Sequence, residues 1–303
     1  MDPVGVVMAA FTTFSDEALA RFLVMFELYE DIKATPIETG IENSNSHIHV
    51  DGRRFVLTIT ETLNFDEVAF FNEIFGALAN SDVPAPSPLR TLDGMSSTIF
   101  CGKPTWLFTH LSGEHPEAPD AEACRQIGYA LATIHTMLKD NRYHRDSPYD
   151  LAWSEATFTR VRAMLSDDDA THLASAIDIQ RALSDGNELP RGTIHGDLFR
   201  DNALFDDGRL TGVLDFYHAC EDFLIMDLAI AINDWCPHSA ELQGHLLSGY
   251  SDIRSLTDEE RDLLPPTRKV AAMRFALTRL TSGESGQPLK DPTEFLRLLA
   301  GLE

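Results

Sequence analysis

Apolar residues recur at helical spacing through residues 15–31, a run opened by Ser15 as N-cap with Asp16 and Glu17 in its first turn. The period then shortens to that of a strand. Residues 47–50 and 55–59 are β-rich runs joined by Asp51-Gly52, which predicts a hairpin. Residues 66–80 return to helical spacing through Val68, Phe71, Phe75 and Leu78. Pro84, Pro86 and Pro88 end that helix, and a second hairpin is predicted from 89–92 through Asp93-Gly94 to 97–101. Residues 106–110 form a further strand candidate, so the chain up to that point reads as a small antiparallel sheet carrying a helix.

The rest is mainly helical. Ile127, Leu131, Ile134 and Leu138 give residues 120–138 an apolar stripe, one or two helices span 154–184, and two more cover 223–236 and 267–281. A β-rich island at 193–216 interrupts them. The expected class is α+β, in the two-lobed protein-kinase-like plan: a small antiparallel-sheet N-lobe over residues 1–108, and a mainly helical C-lobe over 109–303.

Charge changes this picture more than composition does. With 24 basic against 48 acidic residues the net charge is −24, which repels nucleic acid and anionic membranes, so neither is expected as a partner. Solubility or a saline habitat is the plainest source of that acidity, but any phosphate-rich ligand would need a metal ion to neutralise it locally. The most apolar window, 223–232, carries Asp227 and falls short of the roughly 18 residues of a membrane span. The N-terminus, MDPVGVVMAAF, has no basic residue before its apolar stretch, so a signal peptide is not expected and the protein reads as cytoplasmic. Cys101, Cys124, Cys220 and Cys236 are far apart and form no CxxC pair, which points to reduced thiols rather than a zinc site or disulfide framework.

The β-rich island reads TIHGDLFRDNALFDDGRLTGVLDF. It contains His195-x-Asp197-Leu198-x-x-x-Asn202, the spacing of a kinase catalytic loop, and Asp215-Phe216 follows the apolar run 210–214. Phosphoryl transfer needs one carboxylate to orient and deprotonate a hydroxyl, and an amide oxygen and a second carboxylate to hold Mg²⁺ on the phosphates. Asp197 fits the first role, and Asn202 with Asp215 the second. His195 and Asp227 are expected to brace the loop, since a carboxylate inside an apolar helix must find backbone or side-chain donors. The bland reading of this island is a solvated acidic hairpin with His195 and Asp197 capping a turn. A metal-hydrolase site is also open on these residues, although His218 stands alone and His172 and His238 lie far off in sequence.

Six stretches then carry a resemblance across nearly the whole chain: GIENSNSHIHVDGRRFVLTI (40–59), FFNEIF (70–75), GKPTWLFTHLSGEH (102–115), HGDLFRDNALF (195–205), GVLDFYHACEDFLIMDLAIAINDWC (212–236) and MRFALTRL (273–280). In that order they resemble the aminoglycoside-phosphotransferase-like superfamily and, within it, the second bacterial type of homoserine kinase. The resemblance implies ATP and Mg²⁺, L-homoserine as small-molecule acceptor, and O-phospho-L-homoserine as product, a step of threonine biosynthesis. It also implies nucleotide contacts in the loop around Glu42, Asn43, Ser44 and Asn45, and an adenine hinge at His110 and Leu111.

One feature departs from the kinase template. Thr58 stands where a phosphate-contacting lysine is expected on the third strand, and no lysine lies between 34 and 102, so no Lys–Glu pair can form with Glu73. Either the chain binds nucleotide without turnover, or other donors replace the lysine, as in the homoserine kinases it resembles, which carry Leu-Thr here. A zwitterionic acceptor would need cations and carboxylates; the candidates are Arg200, Arg274, Arg279, Asn233 and Asp234. Arg274 and Arg279 lie about 140° apart on one helix, so at most one is expected to face the cleft. Choline, ethanolamine, an aminoglycoside and methylthioribose remain alternative acceptors, although Tyr217 and Trp235 do not make a cage for a quaternary ammonium.

Overall fold

A computed structural model describes residues 12–37, 43–185, 188–282 and 291–302; the MDPVGVVMAAF segment and Glu42 lie outside these. Ser15 caps α1 (Asp16–Leu23) by accepting from Ala18 N–H, but the helix is shorter than its sequence pattern predicts. A 3-10 turn carries it to Phe26, and then Glu27 and Asp31 take left-handed backbone (φ 58° and 49°) and turn the chain into the sheet. That sheet runs β1 (Lys33–Pro36), β2 (Asn43–Val50), β3 (Arg53–Thr60), β4 (Thr98–Phe100) and β5 (Lys103–Thr109), in spatial order β1-β2-β3-β5-β4, all antiparallel. The Asp51-Gly52 hairpin forms as expected. The second hairpin does not form at Asp93-Gly94. Its strands meet at Cys101-Gly102, both in left-handed backbone, while Asp93-Gly94 closes only a local turn through Gly94 N–H to Thr91 O (2.8 Å).

Between β3 and β4 runs α2 (Val68–Leu78), whose Phe70, Phe71, Ile74 and Phe75 are buried. The two faces of the sheet serve different cores. Phe55, Leu57, Ile59 and Ile48 pack against α1, whereas Trp106 and Phe108 join α2 and the helical lobe.

That lobe comprises α3 (Ala121–Met137), α4 (Leu151–Val161), α5 (Asp167–Ser184), β6 (Arg191–Ile194), β7 (Ala203–Asp206), β8 (Arg209–Val213), β9 (Cys220–Phe223), α6 (Leu224–Trp235), α7 (Ala240–Ser251), α8 (Asp258–Ser282) and α9 (Thr293–Gly301). Asp120, Asp150, Ser166 and Ser239 each cap a helix through a side-chain oxygen, so these starts are written locally. α8 begins nine residues before its predicted start because Thr257 and Glu260 form a reciprocal capping box: Glu260 N–H donates to Thr257 Oγ1 (3.1 Å) and Thr257 N–H to Glu260 Oε2 (2.9 Å). The helix then continues through Pro265 and Pro266. β1, α7, β9 and α9 are additions to the sequence reading.

α3 and α7 touch backbone to backbone. A Cβ on Gly128 would lie 1.9 Å from Leu246 O, and one on Gly249 would lie 1.9 Å from Arg125 O. Among the described residues no helix is long and apolar enough to cross a membrane, and all four cysteines are free.

Candidate active site

The catalytic-loop motif lies between β6 and β7, at the mouth of the β7–β8 hairpin. Leu214 N–H donates to Asn202 O (2.8 Å), which brings Asn202 beside Asp215 at one end of that hairpin. Asn202 Nδ2 donates both to Asp197 O (2.7 Å) and to Asp197 Oδ2 (2.9 Å), fixing the carboxylate's orientation. Burial pushes the Asp197 pKa up to about 7, with Asp215 and Asp201 adding to the rise and His218 and Arg274 opposing it. Asp215 itself sits in left-handed backbone (φ 59°), which turns the chain sharply after β8, and accepts from Tyr217 N–H at 3.4 Å.

His195 is tied into the loop through both ring nitrogens. Asp197 N–H donates to its Nδ1 (3.2 Å), so the ring proton sits on Nε2 and goes to Leu214 O (2.9 Å). Burial lowers its pKa further from the charged form. Asp227 on α6 is fully buried and accepts His195 N–H (2.7 Å) and Gly196 N–H (2.7 Å), one on each carboxylate oxygen. Burial alone would raise its pKa, but the His135 hydrogen bond and charge, with His195 and Gly196 N–H, leave it lowered. Gly196 (φ 79°) admits no side chain, since a Cβ would lie 2.7 Å from His218 O.

Behind Asp227 runs a chain of partners that sequence reasoning missed. His135 of α3 bonds Asp227 Oδ2 through Nε2 (3.0 Å) and the Tyr250 hydroxyl through Nδ1 (2.8 Å). Arg254 then donates to the Tyr250 oxygen (3.0 Å) and to Glu260 Oε1 (2.8 Å), which reaches the capping box of α8. The spacing gives little warning of this contact, because 115 residues separate His135 from Tyr250.

The underside of the sheet is polar in a specific pattern. Register sets Asn43 opposite Thr60, Asn45 opposite Thr58, and His47 opposite Val56, so these side chains share the face that looks toward the catalytic loop. Asn43 to Asn45 are paired residues of β2, not a loop as expected. Ser44, one residue out of phase, looks the other way: its hydroxyl accepts Thr12 N–H (2.8 Å) and bonds Glu61, which also pairs with Lys103. His110 follows β5, donates its N–H to Arg54 O (3.3 Å), and stands 5.5 Å from His47 ring to ring. Burial lowers the pKa of both imidazoles, and Arg54 and their histidine neighbours lower them further. Leu111 is the half-buried residue after it. Glu73 faces outward to Arg142 (3.0 Å), while Asn72 takes the inward place and accepts from Trp106 Nε1 (2.9 Å).

The acceptor candidates divide. Arg200, Asp234 and Arg279 all line one cleft of about 480 Å³, bounded on one side by Phe199 and Asp201 of the catalytic loop. Asp234 accepts Arg200 N–H (2.7 Å) and its guanidinium (3.2 and 3.3 Å); burial raises its pKa against the pull of Arg200. Arg279 donates to Glu294 (2.6 Å) and Asp291 O (3.0 Å). Arg274, in keeping with its 140° offset, goes elsewhere: it is buried beneath the loop, donates to Gly196 O (2.7 Å), and lies 3.8 Å over the Tyr149 ring. Asn233 is spent on Arg268, receiving its Nε (2.9 Å) and donating to its carbonyl (2.8 Å), and so does not open to the cleft.

Known proteins resemble this chain in sequence and in fold. Residues 33–263 match the model of the family described as "Phosphotransferase enzyme family". A homoserine kinase of Neisseria meningitidis serogroup B is 36% identical over 97% of this chain and 100% of that protein. One from Methylobacillus flagellatus is 35% identical over 96% of this chain and 94% of that protein. Among solved structures, an amicoumacin kinase in complex with AMP-PNP, Ca²⁺ and Ami superposes with a TM-score of 0.71 at 15% identity, covering 95% of this chain and 93% of its own. A microcompartment-associated aminopropanol kinase gives a TM-score of 0.65 at 17% identity, with 95% of each chain covered. The last two establish the two-lobed fold.

Proposed function

Because the chain belongs to the phosphotransferase enzyme family, among its homoserine kinases, we propose that it transfers the γ-phosphate of ATP to the hydroxyl of L-homoserine. The observation that carries this reading is the Asp197 carboxylate, held through Oδ2 by Asn202, which also bonds the Asp197 carbonyl, and with its pKa pushed up to about 7 by burial. In its ionised form it orients the acceptor hydroxyl and takes its proton as the oxygen attacks phosphorus. His195 and Asp227 keep the loop backbone in place, and Arg274 fixes Gly196 O from below. Residues up to 108 would bind most of the nucleotide and those from 109 the acceptor, with His110 at the junction: adenine between His47, Val56 and His110, and the phosphates toward Asn43, Asn45 and Thr58.

Asn202 and Asp215 suit Mg²⁺. Asn202 spends its Nδ2 on Asp197, which leaves Oδ1 for a cation, and Asp215 comes from the same hairpin end. Mg²⁺ keeps water and phosphate oxygens in its shell and needs only one or two protein ligands. When bound, the ion neutralises phosphate charge that this acidic chain would otherwise repel.

The cleft complements a zwitterion. Arg200 and Arg279 offer guanidinium groups to the acceptor carboxylate, and Asp201 and Asp234 receive its ammonium. Arg279→Gln is expected to raise the KM for homoserine by about tenfold or more, the worth of a charge-assisted hydrogen bond, with the KM for ATP unchanged. An unaltered homoserine KM in that variant would place the acceptor elsewhere.

The decisive assay follows ADP release with Mg²⁺-ATP against L-homoserine, choline, ethanolamine, an aminoglycoside and methylthioribose. Turnover confined to homoserine supports the proposal. Turnover on another of the five keeps the chemistry and changes the acceptor, and silence on all five points to nucleotide binding without transfer.

A further inference from the structure

Thr58 leaves β3 without the lysine that kinases of this fold aim at the phosphates. Lys103 does not stand in for it, because its ammonium is engaged by Glu61 and by Thr12 Oγ1 (2.8 Å) on the other face of the sheet. The place is instead approached by Tyr217, two residues after Asp215. Its ring is clamped by Phe71 (5.5 Å), Phe75 (6.4 Å) and Trp106 (6.0 Å), centroid to centroid. Trp106 is the cross-strand partner of Thr58, so the clamp delivers the phenol to the underside of β3. There its hydroxyl is buried with the Thr58 side chain beside it, but in no well-formed hydrogen bond. A buried hydroxyl is ordinarily paired. This one is clamped by three rings, has only a poorly aligned neighbour in Thr58, and follows a candidate metal ligand by two residues.

We infer that the Tyr217 hydroxyl donates a hydrogen bond to a β- or γ-phosphate oxygen of the bound nucleotide, and so supplies a neutral donor where related kinases use lysine. The inference rests on the phosphotransferase reading but not on the identity of the acceptor. A phenol contributes direction without charge, which leaves charge neutralisation to the Asn202–Asp215 site. Its fixed ring also sets how far from Asp215 the phosphates can lie.

The test is Tyr217→Phe, which keeps the ring in its aromatic clamp. Calorimetry would compare the Mg²⁺-ATP and adenosine affinities of wild type and variant, with stoichiometry reporting the folded fraction. The expected result is a loss of about ten- to hundredfold in ATP affinity with adenosine affinity unchanged, the size of a hydrogen bond to a charged group. Unchanged ATP affinity would overturn the inference. An equal loss for ATP and adenosine would also overturn it, since only the packing of the ring would then matter. No acceptor enters the measurement, so a wrong acceptor leaves the result intact, whereas wild-type protein that fails to bind ATP would bring down the phosphotransferase reading itself.

Discussion

Asp197→Asn is expected to lower kcat by about 10²-fold or more while nucleotide affinity stays nearly constant, because the amide cannot accept the hydroxyl proton. The wild-type acid limb of kcat/KM should fall near pH 7, with activity rising as the carboxylate ionises. Stability should move the opposite way. The folded pKa lies above the unfolded value of 3.8, so the folded state binds more protons between those limits, and this group costs stability as pH rises from about 4 through about 7. The asparagine variant escapes that cost, and its melting temperature at pH 8 should exceed that of wild type. Near-normal turnover would remove Asp197 from the mechanism, and a lower melting temperature at pH 8 would contradict the raised pKa.

Asp227→Ala should be the most damaging substitution for the fold of the site. It strands three donors in a fully buried position: the N–H groups of His195 and Gly196 and the Nε2 of His135. The expected loss is about 3 kcal/mol or more of unfolding free energy, read from urea titration, together with most of the activity. Asp227→Asn keeps one carbonyl acceptor and should fall between alanine and wild type. A variant as stable as wild type would mean that the loop is held from elsewhere.

The candidate catalytic loop stands out in the sequence because its motif is written within eight residues, and the β7–β8 hairpin was legible because Asp207-Gly208 marks its turn locally. Register is a different matter. Asn43, Ser44 and Asn45 look alike in sequence, but the pairing of β2 with β3 sends Ser44 to the opposite face, and only long-range packing decides that phase. Asp93-Gly94 carries a stronger turn signal than Cys101-Gly102, yet Pro88 and Leu89 already pair with Phe108 and Leu107 of β5, and the hairpin closes at the weaker signal. The Thr-x-x-Glu capping box of α8 was readable in principle and was masked by the prolines that follow it. Tyr217 reads as a core aromatic in any periodicity argument, and its distinction is a buried hydroxyl without a well-formed hydrogen bond, which only the folded surroundings disclose.

The contact between α3 and α7 bears on how this gene can vary. A methyl group at Gly128 or Gly249 would strike a carbonyl oxygen of the neighbouring helix, not a side chain. No compensating change on the opposite helix can trim a backbone atom away, so a lesion there has no neighbouring suppressor and is repaired mainly by reversion. Gly249 precedes Tyr250, and Tyr250 touches His135 on α3, so prying the two helices apart would loosen the support of Asp227. A conditional, heat-sensitive allele at either glycine would therefore present as a failure of catalysis, although neither residue belongs to the chemistry.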